Sequence, residues 1–203
     1  MNKFKLFYPF KPFMILQKFG ESLACIPILD SSGSGVKSKI NGLCPKGYQE
    51  LYPTLGLKGH NGQDLYAPDG VIIRAPCDGV IKEISLEEER GLGVGIITEE
   101  KFDLGEYGIH YVKVRQWHGK EILVKMEQKV KIGDSVMIAD STGYSSGSHN
   151  HFEIKPVDYI GDNLKNVYQN NGFFGAIDPQ PYWNKGYIYG IMNNIRTFFK
   201  RIL

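Results

Sequence analysis

The chain has 203 residues, 42% of them hydrophobic, and a formal net charge of only +2. This length suits one well-packed domain, and the apolar fraction excludes general disorder. No basic stripe stands out, which sets nucleic acid aside as a partner, and no run approaches the roughly 20 apolar residues that span a membrane.

The N-terminus, MNKFKLFYPFKPFMIL, is basic and aromatic. Pro9, Lys11 and Pro12 interrupt the apolar core that a signal peptide needs, so no cleaved signal is expected. Any export would use another route, such as cell lysis or a particle that carries the protein. We expect a short extension at residues 1–8, one main domain at 9–185 and a terminal segment at 186–203.

Residues 13–19 read as a first strand ending at Gly20. The stretch 30–47 is rich in Ser, Gly and Lys and reads as an irregular loop. GHNGQD at 59–64 is turn-rich. VIIRAP (71–76), GVIKEIS (79–85) and GVGIITEE (93–100) read as strands. GIHYVKVRQWH (108–118) is a long strand, EILVKM (121–126) a further one, and VMIA a short one between Asp134 and Asp140. HNHFEIKP (149–156) is a final strand after a Ser/Gly turn. From Tyr187 to Leu203, apolar residues recur every three or four positions, which predicts an amphipathic helix packed on its own domain. A membrane-surface or partner-docking role for that helix is the less favoured reading. Many Gly, Val, Ile, Tyr and Phe residues point to short strands joined by turns.

Cys25, Cys44 and Cys77 form no framework and no C-x-x-C pair, which argues against a cysteine zinc site. Buried or incidental thiols are the expected reading, with a Cys25–Cys44 bridge the alternative in an oxidising setting.

Five histidines carry most of the chemical information: His60, His110, His118, His149 and His151. His60 and Asp64 form H-x-x-x-D, and His149 and His151 form H-x-H. A catalytic zinc takes three ligands from His and carboxylates and keeps a fourth position for water, and the two pairs together can supply such a set. On a strand, His149 and His151 share one face and can approach one site. His110 and His118 would share a face too, but about 26 Å apart, so they cannot serve one metal. His110 is the spare.

With these segments in view, the chain resembles the lysostaphin/LytM-type peptidoglycan endopeptidases. ILQKFG (15–20) is similar to the family's opening strand. GHNGQDLYAPDGVIIRAPCDGVI (59–81) resembles its first metal block, and VRQWH (114–118) the strand ending in a catalytic His. VKIGDSVMIADSTGYSSGSHNHFEI (130–154) resembles the closing block, and GAIDPQPYW (175–183) the end of phage-borne members. The resemblance implies a mainly β fold, an antiparallel sheet flooring a groove. It implies one Zn2+ per chain held by His60, Asp64 and His151, with His118 and His149 as the unligated catalytic pair. It implies a zinc metalloendopeptidase that cuts peptide cross-links of cell-wall peptidoglycan, in a phage particle or as a lysis protein. Three positions depart from the family pattern: Asn150 between the two histidines, Gly119 after His118, and Glu21 after Gly20. The loop 29–58 is bulkier than in compact members and could wall the groove.

Two other readings compete. Members of this fold that have lost ligands act as wall-binding or structural modules, and a latent enzyme would keep its ligands without activity. APCDGVIKEI and VKIGDSVMI resemble carriers of biotin or lipoyl groups, but Lys125 follows the A-P-x-D-G segment, which is the wrong order.

Overall fold

In the computed structural model, residues 2–21, 51–87, 91–145 and 147–184 are described. Two long strands organise them. β10 (His149–Ile160) alternates strictly at its start: Asn150, Phe152 and Ile154 are fully buried on one face, while His149, His151 and Glu153 share the other. β7 (Ile109–Ile122) lies antiparallel beside it, with His151 opposite Trp117, Glu153 opposite Arg115 and Ile154 opposite Val114. Val112 and Val114 fill the core face of β7, where β-branched side chains pack well.

The other strands extend this pair. β2 (Gln63–Tyr66) pairs with the start of β10, and β1 (Ile15–Gln17) pairs with β2. On the far side of β7 come β5 (Leu92–Ile97), β4 (Gly79–Ser85) and β8 (Lys129–Val130). β9 (Ser135–Ala139) joins the end of β7 and carries β3 (Ile72–Arg74). β6 (Phe102–Asp103) flanks the start of β7, and β11 (Asn163–Asn166) the end of β10. Every pairing between these strands is antiparallel. A four-residue helix, α1 (Leu51–Thr54), precedes the first histidine.

The core lies under the Phe152 face. Phe152, Ile154, Leu65, Ile73, Ile81, Ile96 and Met137 are fully buried there, each worth roughly 1.5–3 kcal/mol of transfer free energy. Within the N-terminal residues expected to be an extension, Phe4 and Leu6 belong to this core. Leu6 N–H donates to the Tyr182 carbonyl at 2.8 Å, and Asn184 N–H donates back to the Leu6 carbonyl at 2.9 Å.

The expected strands appear with altered limits. The first is three residues long rather than seven. The two stretches at 108–118 and 121–126 form one strand that ends at Ile122, and the last strand continues to Ile160. β2 departs from expectation: the turn-rich GHNGQD becomes extended from Gln63 onward. Cys77 is free and buried, and burial pushes its thiol up to about 12. Cys25, Cys44 and the helix expected at 186–203 lie outside the described residues.

Candidate metal centre

The first histidine reaches its place through two main-chain hydrogen bonds. Gly20 N–H donates to the His60 carbonyl at 2.8 Å, and His60 N–H donates to the Glu21 carbonyl at 2.9 Å. Gly59 allows this approach, because a Cβ there would lie 2.6 Å from the Gly20 carbonyl oxygen. Asp64 stands on β2 directly opposite His151 on β10. Cross-strand neighbours on one face meet, so the Asp64 carboxylate and the His151 ring come together.

Three atoms converge. His60 Nε2 lies 2.9 Å from His151 Nδ1 and 3.2 Å from Asp64 Oδ1, and His151 Nδ1 lies 2.9 Å from Asp64 Oδ1. The outer nitrogens of both rings are committed: His60 Nδ1 donates to the Lys18 carbonyl at 3.2 Å, and His151 Nε2 donates to Glu153 at 3.2 Å. In neutral imidazoles the two inner nitrogens are then lone pairs facing each other and a carboxylate oxygen. Lone pairs this close repel unless a cation lies among them. A tetrahedral ion with bonds of about 2.0–2.1 Å sets its ligand atoms roughly 3.3 Å apart, and the observed triangle is close to that. Among the described residues, His60, Asp64 and His151 form a group able to hold a metal ion.

The electrostatics agree with the geometry. Burial works against the charged form of both Asp64 and His151. Nevertheless the surrounding histidines hold the Asp64 carboxyl well below the usual carboxylate range. Hydrogen bonds to Asp64 and Glu153 outweigh burial at His151 and push it up to about 9. The site draws in positive charge.

His118 and His149 sit beside this triangle, with ring centroids 4.6 Å apart. His149 Nε2 is 3.5 Å from Asp64 Oδ1. Both rings are aimed by one loop. His118 Nδ1 donates to the Thr142 carbonyl at 2.7 Å and His149 Nδ1 to the Gly147 carbonyl at 2.7 Å, which leaves each Nε2 with its lone pair. Burial, with His149 and His151 adding to it, pushes His118 down to about 3, so it stays neutral.

His118 breaks the parity of its strand. Simple alternation would set it with Val114 and Gln116 on the core face, and also on one face with His110. Instead its φ is 72°, the pairing with β5 and with β9 shifts register on either side, and the ring swings beside His149. Gly119 follows because β9 leaves no room: a Cβ there would collide with the Met137 side chain and lie 2.9 Å from the Ile138 carbonyl oxygen. Asn150 points to the core, where its Nδ2 donates to Gln116 Oε1 at 3.2 Å. His110 takes no part in the cluster and pairs with Asp158 at 2.7 Å.

Three contributing side chains were not picked out from sequence. Thr142 Oγ1 donates to the Gly119 carbonyl at 2.6 Å and accepts from Leu92 N–H at 3.1 Å, bracing the loop that aims both histidines. Ser145 Oγ lies 3.2 Å from His149 Nδ1. Glu153 takes the outer nitrogen of His151, and its position two residues along the same strand could have revealed it. Of the loop expected to wall the groove, the described part brings Tyr52 of α1 to 5.8 Å from the His60 ring.

Residues 58–165 match the model of peptidase family M23. The chain belongs to this family. It is 31% identical over 142 residues to glycyl-glycine endopeptidase ALE-1 of Staphylococcus capitis, covering 68% of this chain and 33% of that one. It is 33% identical over 103 residues to the peptidoglycan DD-endopeptidase ShyB of Vibrio cholerae, covering 49% of this chain and 22% of the relative. The chain thus spans a third or less of the length of these relatives. Its fold is similar to a mutant catalytic domain of the prophage-encoded M23 protein EnpA of Enterococcus faecalis, with a TM-score of 0.50, 21% identity, and coverage of 87% of this chain and 93% of that one.

Proposed function

We propose that this M23 peptidase is a zinc-dependent endopeptidase that hydrolyses peptide cross-links of bacterial peptidoglycan and acts at the cell wall. The observation that carries the reading is the convergence of five side chains. Three offer lone pairs to one point, and two more present unshared Nε2 atoms beside it. A His, His, Asp set with an open position suits a catalytic zinc rather than the closed, cysteine-rich structural type. The names of two relatives support the substrate class, since one is a glycyl-glycine endopeptidase and the other a peptidoglycan DD-endopeptidase.

In this reading His60 Nε2, Asp64 Oδ1 and His151 Nδ1 hold one zinc ion per chain. Zinc supplies Lewis acidity and lowers the pKa of a bound water toward ~7. His118 and His149 divide the proton work. One Nε2 accepts the proton of the attacking water, and a ring so protonated at Nε2 can steady the oxyanion or return the proton to the leaving amine. The carbonyls of Thr142 and Gly147 keep both rings in the tautomer that this needs. Both rings are buried, which limits their exposure to bulk solvent.

Single substitutions separate the roles. His118→Ala and His149→Ala should each keep one zinc per chain and lose roughly 10²–10⁴-fold in rate on purified peptidoglycan. Asp64→Ala should lose the zinc itself. Full activity in zinc-loaded His118→Ala would remove the paired-histidine mechanism.

A further inference from the structure

Glu153 occupies a place where a carboxylate is costly. It is 4% exposed, on the β10 face that carries His149 and His151. Such a group persists when its oxygens are fully partnered. Lys155 Nζ and Arg115 Nη1 both reach Oε2, each at 3.0 Å. The other oxygen, Oε1, accepts from Asn61 Nδ2 at 2.8 Å and from His151 Nε2 at 3.2 Å. The two oxygens therefore have different partners, since one is tied to cations and the other faces the cluster.

Arg115 is itself held. Its Nε and Nη2 donate to Glu83 Oε1 at 3.1 and 2.8 Å, and its guanidinium lies 4.4 Å from the centre of the Trp117 ring. Gly93 and Gly95 on β5 leave room for the Trp117 ring and the Glu83 side chain, with Cβ approaches of 2.6 and 2.7 Å if side chains were present. Glu153 Oε2 is thus braced from strands β4 and β7, which fixes where Oε1 can be.

Oε1 touches both halves of the cluster. Asn61 lies between His60 and Asp64 in sequence, and His151 comes from β10. A ring that donates from Nε2 can offer only Nδ1 inward, whereas an unrestrained imidazole can turn and offer either nitrogen. We infer that Glu153 is a positioning residue of the metal centre: its Oε1 selects Nδ1 of His151 as the donor atom and, through Asn61, holds the 60–64 segment at the spacing one ion needs. The inference rests on His60, Asp64 and His151 being the ligands.

The test measures zinc affinity by competition with a chromogenic chelator, and the visible spectrum of the Co2+-loaded protein. Wild type should bind one ion and His151→Ala should not, which checks the ligands alone. Glu153→Gln should weaken zinc 10–100-fold and alter the Co2+ bands, with the far-UV circular dichroism of the metal-free form unchanged. Asn61→Ala leaves the Lys155 and Arg115 contacts in place, so it tests the Oε1 side without disturbing the buried charges. It should weaken zinc several-fold and carries the test if Glu153→Gln does not fold. Wild-type affinity and Co2+ bands in Asn61→Ala, or in folded Glu153→Gln, would overturn the inference while leaving the ligands standing. Tight binding by His151→Ala would overturn the ligand assignment and this inference with it.

Discussion

At the scale of single residues, the proposed metal centre sets a proton in competition with a metal ion. His151 holds its proton up to about pH 9 in the folded, metal-free protein, against an unfolded value of about 6.5. Because the folded value is raised, the stability this contributes is complete below about pH 6.5 and is lost as pH rises through about 9. A metal ion must displace that proton. Binding near pH 8 should therefore release close to one proton per ion, fading above about pH 9, as calorimetry in buffers of different ionisation enthalpy can measure. Release near zero at that pH would show that the ion displaces no proton from His151. His60, Asp64, His149 and His151 were legible from sequence because H-x-x-x-D and H-x-H are local patterns. Thr142 and Gly147 were not, because they act through main-chain carbonyls, which every residue has.

At the scale of elements, the strand around His118 shows how a sheet can break its own period. β7 obeys alternation through Trp117, then turns its next side chain to the wrong face by a positive φ. The next residue must then fit against β9. Gly119→Leu should overpack Met137 and destabilise the fold by ~1–3 kcal/mol, read as a lowered melting temperature. Thr142→Val should leave zinc bound and lower the rate roughly tenfold or more, because it frees the loop that aims both imidazoles. A rate equal to wild type would mean the loop is held by other contacts. The long strands were readable from their β-branched runs and alternation. β2 was hidden, since its four residues follow Asn61-Gly62 and carry no β-branched side chain. β6 and β8 are two residues each, too short for any period to register.

At the scale of the whole molecule, the sheet holds the face that carries the histidines steady by what lies on the other side. The N-terminal residues pack under that sheet and bond to 182–184, so Phe4, Leu6 and Trp183 join segments far apart in the chain. Leu6→Ala should cost ~2–5 kcal/mol in urea unfolding, because Leu6 is fully buried in this core. The sequence hinted at none of this, because a basic aromatic N-terminus has no periodicity to mark it as core. The family resemblance was legible throughout the two metal blocks, where spacing and turn chemistry are specific. The central claim is that this face hydrolyses wall peptides with a bound zinc ion. Its most direct test is the release of free amino groups from purified peptidoglycan by the purified chain, with chelator and after zinc is restored. Release that stops with chelator and returns with zinc is the predicted result. No release from several wall types by the zinc-loaded protein would contradict it and leave a wall-binding or latent module in its place.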